Sequence, residues 1–537
     1  MIAAAIVVGA GGCSRPESPR TDAIVLVSVD TMRGDRFGAG GDAAARTPQL
    51  DRLARCGTQC ATAVSPAPVT LPAHASLLTG LLPPAHGARD NGSFRVRDDV
   101  PLLAENMRRA GRATMACSAA FPLASRFGLA RGFDVYADSL GVRASGESFA
   151  ERPARSVTRD ALARIDAAGT DRPLFLWMHF FDPHAPYEPP PPWSAACGGD
   201  GYRGEIAFTD RELGLALRAL RDRYHPLRVC VTADHGESLG EHGEDTHGVF
   251  VYESTTRVPL VFCGPGADAR LVKRPVGLTE VAGALEEWNR DARLELPAER
   301  SPGTAGLYSE TLYPELRHGW SRLRALRTER WKVIRAPRPE VYDMIADPGE
   351  TTNLHGSPAA AAGEQLAAAL EDPRWDADDR PEEIDPETEA ALLSLGYAGT
   401  VAPDARPAEA LPDPKDRIRL ERILSRAGGA LESGRLAAAR SALGSALAVD
   451  PGNKEANLLR ARVEAAAGQI PLAEEVFAYC LELEPASLDA VVYYELGRVQ
   501  LHAGRPADAR ASFAAAVERD PLNVDARFNL GVAESRQ

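Results

Sequence analysis

The sequence predicts an α/β sandwich, with a mostly parallel central sheet and helices on both faces, followed by an all-α repeat tail. Two observations carry this. From Thr21 to about Leu354, nearly continuous apolar β-type runs alternate with helical patterns, as in sheets buried on both faces. Beyond about residue 418, a glycine and a proline recur at a fixed spacing, the mark of a repeat array. The length of 537 residues allows three or four domains at ~100–200 residues each.

Residues 1–20 form the first segment. Met1-Ile-Ala-Ala-Ala-Ile-Val-Val-Gly-Ala10-Gly-Gly12 is a short apolar run ending in small residues, and Cys13 and the Ser/Pro/Arg tract Ser14–Arg20 follow it. This resembles a bacterial lipoprotein signal with Cys13 as the lipid-bearing residue, although it lacks a basic n-region and Ala10 stands where leucine is usual. It implies an extracytoplasmic, periplasmic or membrane-anchored protein that meets the membrane only through that anchor. No apolar run approaches the ~18–20 residues of a spanning helix. A formal charge of −14 argues against a general nucleic-acid binder, which needs a basic face.

Four apolar runs are the strand candidates: Ala23–Val29, Pro173–Phe180, Val229–Thr232 and Val258–Cys263. Helices are expected at Gln49–Cys60, at Pro101–Ala110 stopped by Gly111, and at Ile206–Arg223. None of the eight cysteines forms a C-x-x-C pair, so no structural zinc site is expected. Cys56 and Cys60, four apart, read as half-buried residues of one helix. Residues 21–355 are thus the α/β domain. Residues 356–417, rich in Ala, Pro and acids, read as a linker carrying short helices. In the tail, residues 418–537, Gly434, Gly468 and Gly504 each precede a proline (Pro451, Pro485, Pro521) by 17 positions, and successive units are 34 and 36 residues apart. That grammar resembles tetratricopeptide repeats, which form a concave surface for protein or peptide partners.

Ligands in such sheets gather beyond the carboxyl ends of strands. The first strand ends in Asp30, Pro173–Phe180 runs into Asp182-Pro183-His184, and Val229–Thr232 runs into Asp234-His235-Gly236. Carboxylates and imidazoles delivered together suit a divalent cation. Thr70-Leu-Pro72-Ala-His74 through Gly80 reads as a helix, with Thr70 as N-cap and Gly80 as stop. A hydroxyl there is either a simple cap or a nucleophile, served by the N–H groups of the helix N-terminus.

Together, Val29-Asp30-Thr31, Thr47-Pro-Gln-Leu-Asp51, Leu77-Leu-Thr-Gly80, His86-Gly87, Asp182-Pro-His184-Ala-Pro-Tyr187, Thr232-Ala-Asp234-His235-Gly236-Glu237, Tyr252-Glu253, Arg257-Val-Pro-Leu260 and Tyr342-Asp343…Asp347-Pro-Gly-Glu350 resemble the sulfatase family of the alkaline phosphatase superfamily. The resemblance covers roughly residues 22–355 and implies a metal-dependent hydrolase of sulfate or phosphate esters. Sulfatases carry a cysteine or serine, converted to formylglycine, within C-x-P-x-R. Here Thr70-x-Pro72-x-His74 stands in its place, and no C-x-P-x-R occurs in the chain. With His86-Gly87 and Asn91, this looks like the phosphodiesterase branch, where threonine attacks phosphorus directly.

The resemblance implies one divalent cation (Zn, Mn, Mg or Ca) held by Asp30, Thr70, Asp234 and His235. His74, Asn91 and His184 would contact substrate, with Asn91 on an anionic oxygen. His184 and His247 would meet the ester oxygens or leaving group, His247 as a possible general acid. A second cation at Asp182, His184 and His247 is the lesser reading. Thr31 replaces a second family aspartate. Glu237, Glu241 and His242 read as loop hydrogen-bonding residues, Pro189–Pro192 with Trp193 as the cleft rim, and Ser118–Phe133 as a pocket wall. Phosphate (di)ester hydrolysis is favoured over formylglycine chemistry. The alternatives are transfer of a phosphoryl-linked group, a sulfatase using unmodified threonine, or a repeat scaffold with a degenerate hydrolase fold.

Overall fold

The computed structural model describes residues 21–92, 94–140, 152–296, 306–376, 411–483, 488–520 and 523–536. Cys13 and the leader, linker residues 377–410, and Pro485 and Pro521 lie outside them. An eight-stranded sheet organises the first domain. Ala23–Val29 lies at its centre, fully buried and parallel to both Leu174–Phe180 and Leu227–Ala233. Ala113–Cys117 and Val135–Ala137 extend the sheet on one side, both parallel to their neighbours. Leu260–Cys263 runs antiparallel on the other side, followed by Thr58–Cys60 and Arg270–Val272. One helix group (Pro48–Cys56, Ala154–Ala168, Gly201–Arg223) packs together, as does a second (Thr70–Thr79, Leu103–Arg109, Thr279–Asp291). These layers bury the apolar runs that predicted the strands.

Several boundaries differ from expectation. The helix expected over Gln49–Cys60 ends at Cys56. Gly57 then passes so close to the opposing strand that a Cβ there would lie 2.0 Å from the Phe262 carbonyl oxygen, and the chain continues as the strand Thr58–Cys60. Cys56 and Cys60 therefore sit on different elements, and the Cys56 sulfur lies 2.7 Å from that of Cys263. The run Val258–Cys263 splits at Pro259. Arg257–Val258 joins a small sheet with Ala63–Val64 and Val276–Gly277, and only Leu260–Cys263 enters the main sheet.

A four-stranded antiparallel sheet (Leu307–Thr311, Leu323–Arg327, Trp331–Arg335, Glu340–Asp343) was not foreseen. It is fixed to the main domain by the buried Arg89–Glu310 ion pair at 2.6 Å and by Ser309 Oγ donating to the Ser65 carbonyl at 2.7 Å. The short helices expected in the linker occur at residues 358–376, but they pack on this sheet. Trp375 stacks on Tyr308 with ring centres 4.0 Å apart, and Ala360 and Leu370 join the same cluster. That part of the expected linker belongs to the folded domain.

Among the described residues seven helices follow from Pro414, four residues before the expected start of the repeats. Gly434, Gly468 and Gly504 adopt φ of 69–76°, the left-handed turn that ends one helix and starts its partner.

Candidate active site

The parallel register places Val29 level with Phe180 and Ala233, so the residues just beyond the three strands meet. Ligand atoms of Asp30, Asp234 and His235, all buried, lie within 4.8 Å of one another. Burial raises both carboxyls above their ordinary range, in Asp30 against the pull of His235 and His184. Thr31 is held at φ 52°, a strained conformation for a β-branched residue. The turn lets the Thr31 N–H donate to Asp234 Oδ1 at 3.3 Å, while Tyr202 Oη donates to the Thr31 carbonyl at 2.7 Å.

The hydrogen-bond network assigns the histidine tautomers. Burial pushes His74 down to about 3 and His179 to about 4, so both are neutral. His74 Nδ1 donates to the Thr70 carbonyl at 2.8 Å, and its Nε2 accepts from Ser28 Oγ at 2.9 Å. Ser28 Oγ then accepts from Trp177 Nε1 at 3.0 Å and from His179 Nδ1 at 3.1 Å. His235 Nδ1 donates to the Gly236 carbonyl at 2.9 Å. The lone pairs on Nε2 of His179 and His235 therefore face Asp30 oxygens at 3.4 and 3.7 Å. Both Asp30 oxygens, Asp234 Oδ2 and His235 Nε2 are buried without a hydrogen-bond partner. Converging acceptors of this kind suit a divalent cation of mixed nitrogen and oxygen preference.

Thr70 opens the helix Thr70–Thr79 as its first helical residue. The N-cap is Val69, which supplies no side-chain cap. Asn91 does the capping instead, its Oδ1 accepting from the Leu71 N–H at 2.7 Å. Its Nδ2 is buried without a partner. Thr70 is thus not the cap the sequence suggested, and Asn91 leaves a spare donor at the helix N-terminus.

Two assignments change. His74 is not a substrate contact, because Thr70 and Ser28 occupy both ring nitrogens and the side chain is buried beneath the cluster. Asp182 is not a cation ligand. Its Oδ2 accepts from the Ala154 N–H at 2.7 Å, at the start of the helix Ala154–Ala168. Burial and the neighbouring His235 and His184 push His247 well below its ordinary value. Its Nδ1 lies 3.0 Å from Glu237 Oε1 and its ring centre 4.5 Å from that of His235, which places the imidazole beside the cation cluster.

His184 donates through Nδ1 to the Ala185 carbonyl at 2.7 Å, leaving Nε2 as an acceptor, and its ring lies 5.1 Å from that of His247. A cavity of about 370 Å³ adjoins it, walled by Phe181, Phe208, Pro186 and Pro190, with Arg155 and Glu188 also lining it. Of the expected rim Pro189–Pro192 with Trp193, Pro190 lines this cavity while Trp193 packs against the core, and the 118–133 loop turns Phe121, Leu123, Phe127 and Leu129 into the core. Glu241 pairs with Arg33 at 2.8 Å and His242 stacks on Tyr252, matching their reading as loop residues. Ser28, Trp177 and His179 were missed. The one signal available was a histidine inside the otherwise apolar run Leu174–Phe180.

A family model described as Sulfatase matches residues 22–288. These residues form a sulfatase-family domain. Tetratricopeptide-repeat models match residues 430–486 and 494–537. A choline-sulfatase of Rhizobium meliloti is 25% identical over 451 residues, 66% of this chain and 86% of that protein. An arylsulfatase K of Bos taurus is 28% identical over 178 residues, 29% of this chain and 31% of its own length, so the match spans about a third of that relative. Among solved structures, the phosphonate monoester hydrolase of Agrobacterium radiobacter shares the sulfatase fold, with a TM-score of 0.53 at 19% identity over 65% of this chain and 94% of that one. Sulfatase-fold enzymes use a divalent metal ion, and the Asp30–Asp234–His235 cluster is a site able to hold one.

Proposed function

We propose that the protein is a metal-dependent hydrolase of small anionic esters in which Thr70 attacks directly, with phosphate esters favoured over sulfate esters. The observation that carries this reading is the seat of Thr70. It opens a helix whose cap comes from Asn91, and His74 ties its carbonyl to the cation cluster, lying 3.5 Å from Asp234 Oδ2 through the same Nδ1. Threonine cannot become formylglycine, so direct attack is the chemistry this position allows.

Asp30, Asp234 and His235, with the Thr70 hydroxyl, would hold the cation. When bound, it supplies Lewis-acid charge that lowers the pKa of a coordinated hydroxyl. The chain does the rest. Thr70 Oγ forms a bond to phosphorus as the bond to the leaving alkoxide breaks, and its hydroxyl proton passes to solvent. Asn91 Nδ2 and the helix N–H groups receive a non-bridging oxygen. His184 and His247 stand on the side of the ester oxygens, and the cavity beside His184 takes the organic group. Water then cleaves the threonyl ester and regenerates Thr70. Peptide partners would meet the repeats.

Aryl sulfate, phosphate monoester and phosphate diester should be assayed in parallel with Zn, Mn, Mg and Ca. Phosphate ester turnover is expected, and Thr70→Ala should lower it by about a thousandfold or more while cation binding persists. Undiminished turnover in that variant removes Thr70 from the mechanism.

A further inference from the structure

The helix Pro414–Glu432 leads into the residues matched as repeats, which begin at residue 430, and it packs against the loop that carries His247. Ile418, 7% exposed, joins the cluster formed by Val249, Phe250, Val251 and Tyr252, the residues that follow His247. It also lies against Gly243, where an added Cβ would come within 3.3 Å of its Cγ2. Two turns of the helix present arginines to one acid of the loop. Arg422 Nε lies 3.0 Å from Asp245 Oδ1, and an Arg426 guanidinium nitrogen lies 3.4 Å from Asp245 Oδ2.

At the start of the same helix, Lys415 pairs with Glu340 at 2.8 Å, and Glu340 in turn accepts from the Tyr252 hydroxyl at 2.7 Å. The loop closes on itself through Ser238 N–H to the Thr246 carbonyl at 2.6 Å and Glu244 to the Val249 N–H at 2.7 Å. Asp245, two residues before His247, is thus the point where charge on the repeat side grips the catalytic side.

We propose that this helix is a positioning element of the hydrolase: Arg422 and Arg426 hold Asp245, and with it the loop that presents His247 beside His235 and His184. The proposal rests on the reading of His247 as a group facing the ester. It makes the repeat tail part of the active site's support, so a peptide seated on the repeats that shifts this helix changes turnover.

The test uses the full chain and four variants: Arg422→Ala with Arg426→Ala, Asp245→Ala, the charge swap Asp245→Arg with Arg422→Asp and Arg426→Asp, and Arg440→Ala. Arg440 pairs with Glu464 at 2.6 Å inside the repeats and serves as the control. Amide hydrogen exchange over residues 236–250 is read without substrate. It should quicken in the arginine double variant and in Asp245→Ala, return toward wild type in the charge swap, and stay unchanged in the control. On whichever ester is turned over, kcat should fall about two- to fivefold with KM nearly constant, because partly exposed ion pairs are each worth only fractions of a kcal/mol and are screened by salt.

Unchanged exchange in the double variant overturns the proposal, as does equal quickening in Arg440→Ala. If no ester is turned over, the reading of the site as a hydrolase fails while the exchange result still decides whether the helix holds the loop.

Discussion

Asp30→Asn should make the metal-free protein more heat-stable and the metal-loaded protein less so. In the metal-free state the Asp30 and Asp234 carboxyls, both wholly buried, have His235 and His179 lone pairs for neighbours where a cation would lie. An unpaired buried carboxylate is costly, and an amide of the same shape relieves that cost. When metal is present at a hundred times its dissociation constant, binding contributes about 2.7 kcal/mol. For a domain of about 350 residues, each contributing ~2.1 cal/mol/K of unfolding entropy, that corresponds to a rise in Tm of roughly 4 °C. The variant keeps Asp234 and His235 but loses one carboxylate, so most of that rise should vanish.

Differential scanning fluorimetry after chelation, then with Zn, Mn, Mg or Ca added singly, reads both effects. The wild-type shift should be larger at pH 8 than at pH 6, because burial raises both carboxyls and the metal must displace their protons. A metal-free Asp30→Asn protein that melts lower than wild type and still responds fully to metal would refute the assignment.

Other outcomes are equally specific. Burial pushes the Glu244 carboxyl up to about 8 from 4.5, so the folded state binds the extra proton between those values. Its contribution to stability is full below about 4.5 and is lost as pH rises to 8. In Glu244→Gln, which retains an acceptor for the Val249 N–H, the Tm difference between pH 5.5 and 8 should shrink; an unchanged difference assigns that pH dependence elsewhere. Arg89→Ala strands the buried Glu310 carboxylate and should cost about 3–5 kcal/mol in denaturant unfolding; a loss below 1 kcal/mol would mean that Glu310 finds another partner. Oxidised glutathione should join Cys56 to Cys263, whose sulfurs lie 2.7 Å apart, with release of reduced glutathione. Non-reducing peptide maps that recover both thiols alkylated would exclude the link.

The parts of the site legible in the sequence were those that sit directly beyond apolar strands. Asp30, Asp234 and His235 follow runs whose burial on both faces is written in their composition, and parallel register brings their ends together. The network beneath them was not legible. Ser28 meets Trp177 and His179 across about 150 residues, and no local pattern encodes that pairing. His74 looked outward in the motif, yet the i−4 carbonyl of its own helix turns it inward. The antiparallel sheet at residues 307–343 escaped notice because its strands carry charges, as in Leu323–Arg327 and Trp331–Arg335. These charges are buried in pairs such as Lys332–Glu350 at 2.8 Å, so alternation of apolar residues was no guide.

Arg89 has a consequence for how the chain acquires its structure during synthesis. Its guanidinium is matched by Glu310 and by the carbonyl of Trp375, which also accepts from Arg324. A ribosome that has released only the first 288 residues leaves that charge without either partner, although every strand of the central sheet is already out. Asn91, two positions beyond Arg89, caps the helix that begins at Thr70. The segment beside the Thr70 helix is therefore translated early, and its buried charge is matched only after the polypeptide has returned through residue 376.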